Sequence, residues 1–404
     1  MKVKIYKGKA KGTVFAPPSK SMAHRLLICA GLSKGKSVIK GISKSEDVLA
    51  TIDCLKALGA ECSISGDIAE INGVDIKTAS INGEFNCRES GSTMRFFIPL
   101  ALLTGKNVVF NGSKKLLSRP MSVYQTLCQE QKMFFSQDES SIVVKGPLKA
   151  WNFRLAGNIS SQFISGLLFA LPLLNKDSTI SIIPPIESRS YIDLSIDALR
   201  QFSVEVYWKD ENTLFIKGNQ EYKSIETSVE GDYSNAAFLS ALNLVGGDVE
   251  VQGLNENSLQ GDKVYKKYFE SLSVGTPTLH ISNCPDLGPI LFSVAASNYG
   301  GIFTGTKRLR LKESDRVEAM AEELRKFSTA VKVHDDSLVI YPIDFKAPEE
   351  ELYGHNDHRV VMSLAVLLTL TGGIIDGAEA IKKSYPDFFE NLRSLGIKVE
   401  EYEA

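Results

Sequence analysis

Residues 19–35 read SKSMAHRLLICAGLSKG. A serine opens a short polar and basic turn, an apolar run follows, and a glycine closes the stretch. The same form returns at residues 90–105 (SGSTMRFFIPLALLTG), 160–175 (SSQFISGLLFALPLLN), 233–247 (YSNAAFLSALNLVGG), 285–301 (PDLGPILFSVAASNYGG) and 356–373 (NDHRVVMSLAVLLTLTGG). Each begins with residues that cap helices and then stays apolar on nearly every face, which describes a buried helix rather than an amphipathic surface one. The starts are evenly spaced except for a short interval between Tyr233 and Pro285. The chain therefore reads as a sixfold repeat whose fourth copy is cut short between Leu272 and Ile281.

A β-branched stretch follows each of these segments: SVIKG (37–41), NVVFNG (107–112), TISII (179–183), DVEVQG (248–253), GIFTG (301–305) and GIIDG (373–377). These are expected strands. A second helix start comes next, at Ser45, Ser118, Ser188, Leu259, Glu313 and Ser384, and there apolar and charged residues alternate at helical spacing. Those helices should keep one face in solvent. One such unit cannot cover its own apolar surfaces, so three packed together make a minimal core and six make two similar domains of class α/β. The expected bounds are residues 18–229 for one domain and 230–404 for the other; placing residues 1–17 with the second, through the strand Val3 to Ile5, leans on family resemblance rather than on the repeat.

The composition narrows the function. In 404 residues, 46 Lys plus Arg nearly balance 48 Asp plus Glu, so no overall field draws in nucleic acid or an anionic membrane, and neither is expected as a partner. The longest apolar runs, such as Leu364 to Leu370, fall far short of the roughly 20 residues a bilayer span needs. MKVKIYKGKA at the start lacks the apolar stretch of a secretory signal. Cysteines 29, 54, 62, 87, 128 and 284 form no metal or disulfide framework and read as reduced core residues. A cytoplasmic location is expected.

A helix N-terminus carries about half a positive charge and exposed N–H donors, so several aimed at one place make an anion site. The first set of starts carries Lys20, Ser21 and Arg25; Ser92 and Arg95; Ser160, Ser161 and Gln162; and His358 and Arg359. The second set adds Arg119, Ser188, Arg189, Lys312, Arg316 and Lys383. Serines alone are ordinary caps; the long cations are not, because burying them requires an anionic partner. Asp286, Glu313 and Asp315 are the acid–base candidates, with Asp286 equally readable as a plain cap. Gly31 to Ser37 imitates a phosphate loop but has the wrong glycine spacing and precedes a strand. His355 and His358 lack a third ligand at metal spacing, so no metal is expected.

Ten stretches in order resemble one family of enolpyruvyl transferases, 3-phosphoshikimate 1-carboxyvinyltransferase or EPSP synthase. They are PPSKS with HR at 17–25, ESGSTMR at 89–95, SRPM at 118–121, SSQFISG at 160–166, SRSYID at 188–193, GDYSNAA at 231–237, PD at 285–286, KESDR at 312–316, NDHR at 356–359 and YPDF at 385–388. The resemblance implies the family's inside-out α/β barrel architecture, in which each domain holds three βαβαββ units around buried helices and the active site lies between the domains. It implies transfer of the enolpyruvyl group of phosphoenolpyruvate to the 5-hydroxyl of shikimate 3-phosphate, with no cofactor, by a monomer. By the same resemblance Lys20, Ser21, Arg25, Ser160, Ser161, Gln162, Ser188, Asp286 and Lys312 hold shikimate 3-phosphate. Lys20, Gly91, Arg95, Arg119, Gln162, Arg316, Arg359 and Lys383 hold phosphoenolpyruvate. Asp286, Glu313 and Lys20 are the implied catalytic groups, Asp286 taking the hydroxyl proton and Glu313 exchanging one with the methylene carbon. Two alternatives are a sister enzyme acting on UDP-N-acetylglucosamine and a non-catalytic anion-binding relative. The sister typically carries Lys-Asn where Lys20-Ser21 stands and a cysteine in the loop where residues 111–118 have none. Glu89 departs from the Asn of many members.

Overall fold

The computed structural model describes residues 1–342 and 345–402. The chain divides into two compact units, a split one made of Met1–Pro17 and Gly231–Ala404, and a continuous one, Pro18–Glu230. The continuous unit contains α1 (Lys20–Leu32), α2 (Glu46–Leu58), α3 (Gly91–Leu102), α4 (Lys114–Leu117), α5 (Ser122–Glu130), α6 (Ser161–Ala170) and α7 (Arg189–Gln201). The split unit contains α8 (Tyr233–Ala241), α9 (Tyr265–Val274), α10 (Gly288–Ser297), α11 (Arg316–Lys326), α12 (His358–Thr371) and α13 (Phe388–Ser394).

The six apolar segments are α1, α3, α6, α8, α10 and α12, and each is buried along nearly its whole length. Five of the six begin with a side-chain cap, Ser19, Ser90, Ser160, Asp232 and Asp357 each accepting one first-turn N–H, while α10 has none. Around these helices each unit builds its own hydrophobic core. Helix α6 approaches α3 so closely that a Cβ on Gly166 would stand 2.4 Å from the Arg95 carbonyl oxygen. Only glycine permits that contact.

The sheets repeat one pattern. Asn152–Ala156 runs parallel to Ser178–Ile183, which pairs antiparallel with Thr213–Ile216, itself antiparallel to Val206–Trp208. The crossover between the parallel strands carries the buried helix α6, and the one before the antiparallel pair carries α7. Four further sheets have the same order. Two are completed by distant strands: Glu226–Ser228 joins Lys36–Lys40, and Lys2–Ile5 lies between Gly373–Asp376 and Val399–Tyr402.

The fourth repeat differs. Among the described residues, Asp248–Gln252 pairs only with Lys11–Phe15, and no antiparallel strand follows α9 before the next sheet begins at Thr278. The edge this leaves is partly closed by a side chain. The Asn243 carboxamide accepts from the Val249 N–H at 2.7 Å and donates to the Val249 carbonyl at 2.8 Å, as a neighbouring strand would. A groove of about 380 Å³ lined by Leu244, Val251, Leu254, Tyr265 and Phe269 opens in the same repeat.

The second helix of several repeats begins later than its sequence suggests. Pro120 and Pro386 disfavour helical backbone at the residues before them, so α5 starts at Ser122 and α13 at Phe388. Asp315, not Glu313, caps α11, accepting from the Val317 and Glu318 N–H groups. A 3-10 turn, Gly261–Val264, precedes α9. Arg119, Lys312 and Lys383 therefore lie in connecting segments ahead of these helices rather than in their first turns. No helix among the described residues is long and apolar enough to cross a membrane.

Candidate functional site

In the continuous unit, the buried helices present their N-terminal ends together with the start of α7. Lys20 opens α1, and its Nζ pairs with Asp47 Oδ2 at 2.8 Å, both side chains mostly covered. Arg25, one turn on, is buried: Nε donates to Ser195 Oγ at 2.9 Å, Nη1 to the Ser21 carbonyl at 2.6 Å and Nη2 to the Tyr191 carbonyl at 2.9 Å. Burial lowers its pKa to about 10, which leaves it cationic at neutral pH. The guanidinium thus ties α1 to α7, whose first residues follow Ser188. Ser188 is itself buried with a left-handed φ of 56° and makes no cap to α7.

Helices α3 and α6 carry a second group. Arg95 Nη1 donates to Gln162 Oε1 at 2.6 Å, and Gln162 Nε2 donates to Ser92 Oγ at 2.8 Å. Tyr124, buried on α5, fixes the backbone beneath by donating to the Arg95 carbonyl at 2.6 Å. Ser160 caps α6, with Ser161 buried beside it. Arg119 arrives from the segment between α4 and α5. A Cβ on Gly91 would lie 2.7 Å from Arg119 Nη1 and 3.3 Å from Arg95 Nη1, so two guanidinium groups converge on the first residue of α3. Arg119 is 9% exposed, has no ion-pair partner among the described residues, and its Nε has no acceptor there. Buried cations brought together at a helix start form an arrangement suited to an external anion.

In the split unit the charges are paired more densely. Arg316, 1% exposed, is ringed by carboxylates: Nε meets Asp357 Oδ2 at 2.8 Å, Nη1 meets Asp286 Oδ1 at 2.8 Å and Nη2 meets Glu313 Oε2 at 2.7 Å. Burial opposes its charge, but Asp357, Glu313 and Asp286 outweigh burial and raise its pKa. Asp286 also faces Lys312 Nζ at 3.3 Å and Arg359 Nη2 at 3.3 Å. It lies within a 3-10 turn, Pro285–Leu287, and the cap positions of that turn and of α10 are held by Cys284 and Leu287, so Asp286 is not placed as an ordinary cap. Burial lowers the Lys312 pKa, with Asp286 acting in the opposite direction. Asp262, buried and accepting from Ser234 Oγ, has its carboxyl pushed up to about 6, by burial first and then by Asp286. Lys383 Nζ donates to the Asn356 carbonyl at 2.7 Å.

Of the residues singled out in the sequence, one set comes together in each unit: Lys20, Ser21, Arg25, Gly91, Arg95, Arg119, Ser160, Ser161, Gln162 and Ser188 in the continuous unit, and Asp286, Lys312, Glu313, Arg316, Arg359 and Lys383 in the split one. Asp315 turns away as the α11 cap and pairs with Arg310. The sequence reading passed over Asp47 and Asp262, and it quoted Asp357 without giving it a role. Asp47 follows Ser45-Glu46 in the first turn of α2 and Asp357 stands directly before an apolar helix, so both carried a local signal. Asp262 carried none. His355 and His358 share no site; instead Glu322, Glu323 and His355 place ligand atoms within 4.8 Å of one another. Lys326 Nζ already sits 3.0 Å from Glu323 Oε2 in that group.

The family model described as EPSP synthase (3-phosphoshikimate 1-carboxyvinyltransferase) matches residues 6–392. The chain belongs to this family. A relative named 3-phosphoshikimate 1-carboxyvinyltransferase from Clostridium perfringens is 42% identical over 419 residues, covering 98% of each chain. One of the same name from Clostridioides difficile is 38% identical over 430 residues, covering 99% of this chain and 98% of its own. Among solved structures, EPSP synthase from Acinetobacter baumannii matches with a TM-score of 0.80 at 21% identity, over 99% of this chain and 100% of that one. The enolpyruvyl transferase NikO from Streptomyces tendae matches at 0.80 with 13% identity, over 100% of this chain and 99% of its own. At those identities the two structures speak for the fold, the two-domain α/β architecture of enolpyruvyl transferases.

Proposed function

We infer that this chain transfers the enolpyruvyl group of phosphoenolpyruvate to the 5-hydroxyl of shikimate 3-phosphate, giving 5-enolpyruvylshikimate 3-phosphate and inorganic phosphate, a step toward chorismate and the aromatic amino acids. Membership of the family over nearly the whole chain carries this reading, and the charge clusters suit it because both substrates bear a phosphate and a carboxylate. In this reading Ser21, Arg25, Ser160, Ser161, Gln162 and Ser188 of the continuous unit hold shikimate 3-phosphate, joined by Lys312. Arg95, Arg119 and the Gly91 backbone, with Arg316, Arg359 and Lys383 of the split unit, hold phosphoenolpyruvate, and Lys20 serves both ligands.

Asp286 takes the proton of the attacking hydroxyl while Glu313 protonates the methylene carbon, and the tetrahedral adduct forms. Loss of phosphate, with a proton returned from the methyl carbon, restores the vinyl group. Carboxylates that now hold Arg316, Lys312 and Arg359 in place keep those cations oriented for the departing phosphate, so little reorganisation is needed as charge develops. Exclusion of water protects the adduct. The reading has the chain working as a monomer in the cytoplasm, in keeping with its balanced charge and free cysteines.

The test is phosphate release from the purified chain with both substrates. Release that requires both supports the reading. Release only with UDP-N-acetylglucosamine as acceptor, or none from folded protein, overturns it.

A further inference from the structure

Glu323 lies two turns along α11 from Arg316, on the same face and about 10 Å farther down the axis, too far to share its ligands. It is fully buried, yet its carboxylate is saturated with donors. Oε1 receives His355 Nε2 at 3.0 Å, Oε2 receives the Tyr353 N–H at 2.9 Å, and Lys326 Nζ lies 3.1 Å from Oε1. Burial alone would raise this carboxyl, but the bonds from His355, Tyr353 and Lys326 prevail and hold it below the usual carboxylate range. Lys326 is itself tied to the Glu351 carbonyl at 3.1 Å, and Glu322 is the neighbouring exposed acid.

These bonds grip the turn that leads into α12. His355 and Asn356 both adopt left-handed backbone, with φ of 49° and 51°. Two successive non-glycine residues in that region cost free energy and persist where the surroundings enforce them. The turn puts two groups of the charge cluster in position: the Asn356 carbonyl accepts from Lys383, and the Asp357 carboxylate holds Arg316 while capping α12.

We propose that Glu323 and His355 are positioning residues, a clamp that holds this strained turn so that Lys383 and Arg316 are aimed at phosphoenolpyruvate. The proposal deepens the functional reading and rests on its assignment of Lys383 and Arg316 to that ligand. The clamp should act mainly on one substrate, because the turn's bonds to Lys383 and Arg316 reach groups assigned to phosphoenolpyruvate. A purely structural role would lower stability without separating the two substrates.

Steady-state kinetics of the full chain separates these cases. His355→Asn removes the imidazole while keeping a residue that accepts left-handed backbone. The KM for phosphoenolpyruvate should rise about tenfold while that for shikimate 3-phosphate stays within about twofold. Glu323→Gln should act in the same direction, and the double variant should be no worse than the more affected single one, as for partners in one interaction. Lys383→Ala is the control on the underlying assignment. If it leaves the phosphoenolpyruvate KM unchanged, that assignment fails; if it raises this KM and His355→Asn does not, the clamp alone fails. Equal rises for both substrates in His355→Asn also overturn the proposal.

Discussion

Asp286 meets three cations, Lys312 from the segment ahead of α11, Arg316 at the start of α11 and Arg359 on α12. Such a carboxylate is placed for chemistry more than for binding, since the cations beside it remain when it is removed. Asp286→Ala should lower kcat by about 10²- to 10⁴-fold, far more than it weakens the binding of either substrate; unaltered turnover would remove its role. Asp262 makes a second prediction through stability. Its folded-state value of about 6 lies above the ordinary value near 4, so the folded protein carries no penalty below pH 4 and the full penalty above pH 6. Stability from this group therefore falls as pH rises through that window, by on the order of 2 kcal/mol. Asp262→Asn abolishes the ionisation, so its unfolding free energy relative to wild type should improve by that amount between pH 4 and pH 7. Urea denaturation at the two pH values checks this, and a difference independent of pH contradicts it. Asp286 and Arg316 were legible because each stands within a short run of charged or capping residues. Asp262 was not, since its environment is made by Ser234 and by Asp286, which are distant in sequence.

Among elements, the six buried helices could be read almost to their ends, because an apolar segment behind a capping residue has one stable use. The outer helices were read less well. Where a proline intervenes, at Pro120 and Pro386, the polar start in the sequence precedes the α-helix, and Arg119 and Lys383 on it lie outside α5 and α13. The truncation of the fourth repeat was legible as a gap, but its repair was not. Nothing local marks Asn243 as a substitute strand, since its two bonds to Val249 depend on how the chain turns after α8. Asn243→Ala should cost about 1–3 kcal/mol by leaving Val249 unsatisfied, and the opened edge should promote association between copies. Urea unfolding together with light scattering over a concentration series would show both effects; a variant as stable and as dispersed as wild type would refute this role for Asn243.

At the scale of the whole molecule, the repeat accounts for the fold and the charge distribution accounts for the chemistry. Three repeats give each unit a self-sufficient core, so the residues at the helix starts are not needed to hold the core together. In the continuous unit Lys20 pairs with Asp47, Arg25 and Arg95 donate to neutral acceptors, and Arg119 has no acidic partner among the described residues. In the split unit Lys312, Arg316 and Arg359 face carboxylates, while Lys383 donates to a carbonyl. This division was invisible in the sequence, where both sets read alike as cations at helix starts, because Asp47, Asp262 and Asp357 acquire their partners only through folding. It fits a reaction in which one unit chiefly binds and the other also moves protons. The functional reading assigns Lys20, Arg119, Arg359 and Lys383 to the same pair of ligands. A crystal structure with shikimate 3-phosphate and an unreactive phosphoenolpyruvate analogue bound tests it most directly. The account predicts all four side chains within hydrogen-bonding distance of the two ligands, with Ser160 and Ser161 on the sugar phosphate; ligands held by one unit alone, with the four cations on separate surfaces, would contradict it.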